Sequence, residues 1–137
     1  MYKKKGDYYV NRHSCFLLQY HMVLVTKFRH PVLTGEVKEL VYNIINDICE
    51  ERKCNIISIN GEPDNIHLLF EAMPQLCPAE FVNVIKTKTA RFARRDYPEK
   101  VGKYYWKRLF WSDSYFIATV SERSMSVVKE YINNQQG

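Results

Sequence analysis

Residues Asn60–Met73 read NGEPDNIHLLFEAM, and the architecture of the chain follows from them. Asn60, Gly61 and Pro63 mark a turn. Ile66, Leu68, Leu69 and Phe70 then form a short apolar run bounded by turn residues, which is the signature of a buried strand. Side chains alternate across a strand, so Asn65 and His67 project to one face and Ile66 to the other. An amide oxygen and an imidazole side by side on a core strand are poor choices for packing alone. We read the pair as half of a metal site.

Working outward, Ser14–Thr26 (SCFLLQYHMVLVT) is rich in β-branched and aromatic residues and reads as the first strand. His21 lies within it, and a lone strand histidine is more often a packed residue than a ligand. Lys27–Pro31 is a basic turn. Thr34–Lys53 is the clearest helix: Thr34 serves as its cap, and Val37, Leu40, Val41, Ile44, Ile45, Ile48 and Cys49 fall on one face. Asn55–Asn60 is a short strand. A second helix starts with Pro78 as a first helical residue, buries Phe81, Val84, Ile85 and Phe92, and is stopped by Pro98. Trp106–Phe110 and Ser114–Val120 read as the last strands. A final helix, from about Ser124 to Asn134, packs Met125, Val128 and Ile132 inward. The order β, α, β, β, α, β plus a tail helix predicts an α+β, ferredoxin-like antiparallel sheet with helices on one face.

A chain of 137 residues suits a single domain, 1–137, with a sizeable core. At 46% hydrophobic, with five Gly and five Pro, it is expected to fold throughout. The exceptions are a flexible basic arm over 1–12 and the last few residues. Neither a signal peptide nor a run long enough to span a membrane is visible. Cys15, Cys49, Cys54 and Cys77 are widely spaced, without a CxxC pair, which fits free thiols and a cytoplasmic location.

The net charge of +5 is concentrated. Between positions 86 and 108 stand Lys86, Lys88, Arg91, Arg94, Arg95, Lys100, Lys103, Lys107 and Arg108, against only Asp96 and Glu99. Phe92, Tyr97, Tyr104, Tyr105 and Trp106 are interleaved. Cations neutralise phosphates and aromatic faces stack on unpaired bases, so the block points to nucleic acid; a solvated helix face beside core aromatics is the plainer reading of the charge alone. We take Lys86, Lys88, Arg91, Arg94, Arg95, Lys107 and Arg108 as candidate DNA contacts.

The tail helix carries Tyr131 and Gln135, four residues apart and so on one face. A tyrosine hydroxyl can act as a nucleophile that forms a covalent intermediate, and a glutamine oxygen is a hard ligand for Mg2+ or Mn2+. Asn65, His67 and Gln135 together can hold such an ion beside a phosphodiester that Tyr131 attacks in line. Taken one at a time, Tyr131 reads more readily as a half-buried core residue, and Gln135 more readily still as an exposed, frayed one near the chain end.

Four segments then act together. Asp64-Asn65-Ile66-His67-Leu68-Leu69 resembles the DHUHLL strand of the single-tyrosine HUH transposases of the insertion sequence 200/605 family. Tyr20–Arg29 (YHMVLVTKFR) resembles that family's first strand and its basic end, Phe110–Phe116 (FWSDSYF) its WSxSYF segment, and Val128–Gln135 (VKEYINNQ) its catalytic helix. The resemblance covers nearly the whole chain. It implies cutting and rejoining of single-stranded DNA at the ends of a mobile element. In that scheme Tyr131 would keep the 5′ side as a phosphotyrosine and free a 3′ hydroxyl, with a divalent cation on His67, Gln135 and residue 65. It further implies a homodimer that recognises subterminal hairpins, shares active sites between subunits and works at the nucleoid. The family has His where this chain has Asn65, which implies weaker metal binding or activity. A silent single-stranded nucleic-acid-binding module of the same fold is the rival reading.

Overall fold

The strand expected after the NGEPDN turn runs Asn65–Ala72 and stands at the centre of a four-stranded antiparallel sheet. The computed structural model describes residues 3–6, 8–120 and 124–135; the side chains of 3–5 and 124–128, and with them the expected packing of Met125 and Val128, lie outside that description. In chain order the elements are β1 (Lys3–Lys5), β2 (Tyr8–Val10), β3 (Cys15–Phe16), β4 (Leu18–Val25), a 3-10 turn (Lys27–Arg29), α1 (Gly35–Glu51), β5 (Asn55–Asn60), β6 (Asn65–Ala72), α2 (Pro78–Asp96), α3 (Pro98–Gly102), β7 (Phe116–Thr119) and α4 (Ser124–Asn134). The main sheet has the order β5-β6-β4-β7, the arrangement expected of a ferredoxin-like chain.

Register decides which side chains meet. Val23 pairs with His67 on one side and with Phe116 on the other, and Val25 pairs with Asn65. Met22, Leu24, Ile66, Leu68 and Phe70 therefore share the opposite face, where they are fully buried against the apolar stripes of α1 and α2. On α1 that stripe is Val37, Val41, Ile45, Ile48 and Cys49; on α2 it is Phe81, Val82, Ile85, Thr89 and Ala93. The other face is covered by α4, whose Tyr131 and Ile132 pack on Val23, Val25 and Phe116. Two layers of helix thus enclose the strands that carry Asn65 and His67.

Several local expectations are corrected. Thr34 makes no side-chain cap bond. Phe92 is only half-buried, because the α2 stripe runs through Thr89 and Ala93 instead; Arg91 and Arg95 pack over its ring at 5.1 and 4.4 Å. Pro98 opens the short helix α3, as a first-turn proline can, besides ending α2. Trp106–Phe110 forms no strand: the segment is irregular, and Trp111 makes only a single bridge to Thr26.

The basic arm is also more structured than its composition suggests. β1, β2 and β3 form a second antiparallel sheet, and Tyr9 is buried at 4% exposure. Its hydroxyl donates to Glu71 Oε1 at 2.5 Å across 62 residues. Gln19 Nε2 and Asn55 Nδ2 donate to the same carboxylate, each at 2.9 Å. Burial first, then Glu71, push the Tyr9 pKa up to about 12, so the phenol stays a donor at neutral pH. Tyr9→Phe is expected to cost about 2 kcal/mol, the usual range for losing a hydrogen bond to a buried charge. Denaturant unfolding with an unchanged slope is the check, and an unchanged midpoint would show that the hairpin is not held by this contact.

Candidate active site

Residues 60–65 build the first wall of the site. Gly61 allows the turn because its Cα passes close to the next strand: a Cβ there would lie 2.2 Å from the Asn65 carbonyl oxygen. Asn65 is 3% exposed. Its Nδ2 donates to Asp64 Oδ1 at 2.6 Å, and its Oδ1 accepts the Glu62 N–H at 3.4 Å. The amide thus closes its own turn, in the manner of an Asx motif. Asp64 in turn accepts Arg29 Nε at 3.0 Å.

Arg29 comes from the 3-10 turn after β4, where Phe28 and Arg29 both have positive φ (58° and 55°). That conformation is costly for residues with a Cβ and survives only when its surroundings impose it. The surroundings do so: Lys27 N–H donates to Phe110 O (2.8 Å), Tyr105 Oη donates to Lys27 O (2.6 Å), and Thr26 Oγ1 donates to His30 O (2.7 Å). The strained turn aims Arg29 at the cleft.

His67 is half-buried one pleat further along β6. Burial, and next the charge of His21, lower its pKa; Glu62 opposes them. His21 is two residues from Val23 on β4 and so shares its face, diagonal to His67. A lone strand histidine reads as a packed residue in the sequence; the strand register is what places His21 on the face of His67. The imidazole of His67 is therefore neutral at neutral pH, the form that can coordinate a metal. The linkage has a definite sign. The folded state binds this proton less readily than the unfolded chain, so the contribution is intact above the ordinary value of 6.5 and stability falls as pH drops from there through the lower folded value. Melting temperatures of metal-free protein from about pH 8 to pH 5 should show that loss, and His67→Gln should remove part of it.

A cleft of about 710 Å3 opens above these groups, lined by Arg29, Pro63, Asn65, His67, Lys129 and Asn133. α4 supplies its outer wall through Lys129, Ile132 and Asn133. Tyr131 lies on another flank of the same helix, and Gln135 just past its end. Ser114 Oγ and Tyr131 Oη share a 2.8 Å hydrogen bond, and the Tyr131 ring lies 5.5 Å from that of Phe116. Gln135 Oε1 accepts from Ser112 Oγ and Ser114 Oγ, each at 3.1 Å. His67 and Phe116 both pair with Val23, so they stand two strand spacings, about 10 Å, apart. The two expected halves therefore occupy one sheet face but are engaged differently: Asn65 and His67 line the cleft, whereas Tyr131 and Gln135 are hydrogen-bonded to the Ser112–Ser114 loop.

That loop is fixed from behind. Trp111 Nε1 donates to Thr89 Oγ1 at 2.9 Å, Ser112 N–H donates to Val25 O at 2.8 Å, and Lys86 Nζ donates to Ser112 O at 2.9 Å. Lys86, taken as a DNA contact from the sequence, thus makes internal bonds to the loop that holds the tyrosine. Of the other candidate contacts, Lys88 lies beside Asp47 and Glu51, Arg91 and Arg95 flank Phe92, and Arg94, Lys107 and Arg108 gather at another cavity.

Comparison with known proteins gives the family and the fold. The family model for IS200-like transposases matches residues 14–135, which spans the first strand, the central strand, the serine loop and α4. The chain belongs to the IS200-like transposase family. It is 36% identical over 132 residues to the ISDra2 transposase TnpA of Deinococcus radiodurans, covering 96% of this chain and 90% of that one. It is 27% identical over 130 residues to the transposase for insertion sequence element IS200 of Salmonella typhimurium, covering 95% and 84%. A crystal structure from D. radiodurans R1, described as that of a transposase, matches at a TM-score of 0.84 with 32% identity, covering 93% and 98% of the two chains. A REP-associated tyrosine transposase bound to a REP hairpin shares the fold at a TM-score of 0.59 and 8% identity, covering 92% of this chain and 70% of that one. This IS200-like transposase has no described helix long and apolar enough to cross a membrane.

Proposed function

We propose that this IS200-like transposase cuts and rejoins single-stranded DNA at mobile-element ends, with Tyr131 as the nucleophile. The phenolic oxygen bonds to phosphorus, the P–O3′ bond breaks, and the departing 3′ oxygen takes up a proton while the phenol releases its own. The 5′ side stays on Tyr131 until a 3′ hydroxyl reverses the step. The observation that supports this most is the placement of α4: Tyr131 lies on the sheet face of His67, its hydroxyl held by Ser114 rather than buried in the core.

The arrangement described is a resting one. The bonds to Ser112 and Ser114 park Tyr131 and Gln135 one flank away from the cleft, so α4 must turn or move before attack. The helix can serve its own subunit or, in a homodimer, the cleft of the partner. DNA with subterminal hairpins is the substrate that the family membership suggests, with Arg29 and Lys129 beside the reacting phosphate.

IS200-like transposases generally depend on a divalent metal. The donors as they stand do not fit one. Asn65 Oδ1 accepts from Glu62, Gln135 Oε1 accepts from two serines, and His67 is left as the nitrogen facing the cleft. The engagement of Asn65 in its own turn favours a second reading, in which the chain binds DNA but does not cut it. One assay separates the two. Labelled single-stranded element ends are incubated with Mn2+ and run on a denaturing gel. A slow, protease-sensitive band supports cleavage, and its absence in wild type supports the silent reading. Asn65→His restores an imidazole for the ion and is expected to raise adduct yield at least tenfold, on the order of 1.4 kcal/mol of transition-state stabilisation. An unchanged yield would show that position 65 does not limit the reaction.

A further inference from the structure

The cations between positions 86 and 108 do not form one surface. Arg94, Lys107 and Arg108 converge with Trp106 on a cavity of about 320 Å3 at the end of α2. It shares no lining residue with the cleft at His67. Arg94 lines it, and the Nη1 of this side chain is buried with no hydrogen-bond partner among the described residues. Burial, and then the charge of Arg108, weaken the hold of Arg94 on its proton. A half-buried guanidinium beside a second one, with a donor unused, is in want of an anion. The rim carries a second anomaly. Trp106 is 83% exposed, more than any other large apolar side chain among the described residues. Lys107 Nζ lies 4.5 Å from its ring centroid. Its neighbours Tyr104 and Tyr105 turn inward to pack, whereas the indole adds nothing to the core.

We propose that this cavity is a nucleotide subsite, in which a phosphate of single-stranded DNA sits among Arg94, Lys107 and Arg108 and the adjoining unpaired base stacks on Trp106. The proposal rests on the reading that the chain acts on single-stranded DNA, and adds an anchor remote from the reacting phosphate. The chemistry selects an unpaired nucleotide. A guanidinium pair suits a phosphate, and an open indole face suits a base that has left its stack. Paired bases offer only their edges in the grooves, which an indole has no means to read. The subsite would hold the strand in register while α4 moves, because no residue of α4 lines it.

The test measures affinity by the anisotropy of an end-labelled oligothymidylate titrated with the full chain, in wild type, Trp106→Ala, and a Lys107→Gln/Arg108→Gln double variant, and follows indole emission in parallel. Trp111, the other tryptophan, is buried and serves as internal reference. Wild type is expected to show quenching on binding. Trp106→Ala is expected to bind about tenfold more weakly, and abasic oligonucleotide should bind wild type equally weakly. The double variant should lower the slope of log K against log salt by about 0.7, the value for one lost phosphate contact on a single strand. Both variants alter exposed side chains, and unchanged melting temperatures would confirm that they fold. Wild-type affinity and salt slope in both variants would overturn the subsite. If wild type still forms the covalent adduct in that case, the subsite alone fails. If wild type neither binds the oligonucleotide nor forms the adduct, the reading beneath it fails as well.

Discussion

Replacing Tyr131 by Phe should abolish the covalent DNA adduct and lower cleavage by at least about three orders of magnitude, while leaving the fold in place. The substitution removes one oxygen. The ring keeps its packing on Phe116, and with Ile132 it still covers Val23 and Val25. Among the described residues, the bond lost is the one shared with Ser114, partly solvent-facing and worth about 1 kcal/mol. Ser114 retains Gln135 Oε1 as an acceptor, so the loop is not left unsatisfied. Burial raises the Tyr131 pKa and the Ser114 bond only partly offsets it, so the parked phenol is neutral at pH 7 and a poor nucleophile. In the proposed mechanism, displacement of α4 would carry the oxygen to the cleft and relieve the burial that raises its pKa. A denaturing gel and a melting curve on the same preparation check both halves of this expectation. Full cleavage by Tyr131→Phe would assign the nucleophile to water and remove the phosphotyrosine from the scheme.

Gly61→Ala is expected to cost about 3 kcal/mol and to disorganise the cleft along with the turn. An added Cβ would stand 2.2 Å from the Asn65 carbonyl oxygen, 2.9 Å from its carbonyl carbon and 3.0 Å from Ile66 Cα. All three are backbone atoms of a central strand, so no side chain can swing aside to make room. Relief requires moving the turn from β6, and that breaks the bonds through which Asn65 holds Glu62 and Asp64. Arg29 would lose its anchor with them, since Asp64 is its partner. Gly102→Ala is the matched control: nothing lies within 4 Å of its added Cβ, and its effect should stay within about 0.5 kcal/mol. Denaturant midpoints for the two variants, with His67 imidazole resonances as a local probe, decide the matter. Equal midpoints would show that the turn is looser than its contacts imply.

Much of the sheet was legible because its signals are local. The turn residues before Asn65, the apolar run that follows them and the β-branched and aromatic composition of Ser14–Thr26 mark the two central strands, and the alternation of side chains along a strand then puts Asn65 and His67 on one face. The seven apolar positions of α1 state which face it buries. The segments that misled are those whose conformation depends on distant partners. A lysine-rich arm reads as solvated until Tyr9 finds a carboxylate 62 residues away. Trp106–Phe110 has the composition of a strand, but Trp111 alone bridges to Thr26, at the end of the sheet edge that β7 occupies further along. The stripe of α2 shifts from Phe92 to Thr89 and Ala93 because Trp111 takes Thr89 as its hydrogen-bond acceptor.

For the site, the sequence by itself determined the chemistry on offer: an imidazole and an amide on one pleat of β6, and a phenol and an amide one helical turn apart near the chain end. Their alternation and spacing are properties of the backbone period and need no knowledge of neighbours. Only the tertiary structure decided how these groups are spent. It turned Asn65 into the clasp of its own loop, set His21 beside His67, and docked α4 with Tyr131 and Gln135 on the serine loop rather than in the cleft. Those outcomes depend on strand register and on which flank of a helix finds the better partners, and both are settled by contacts between residues far apart in the chain.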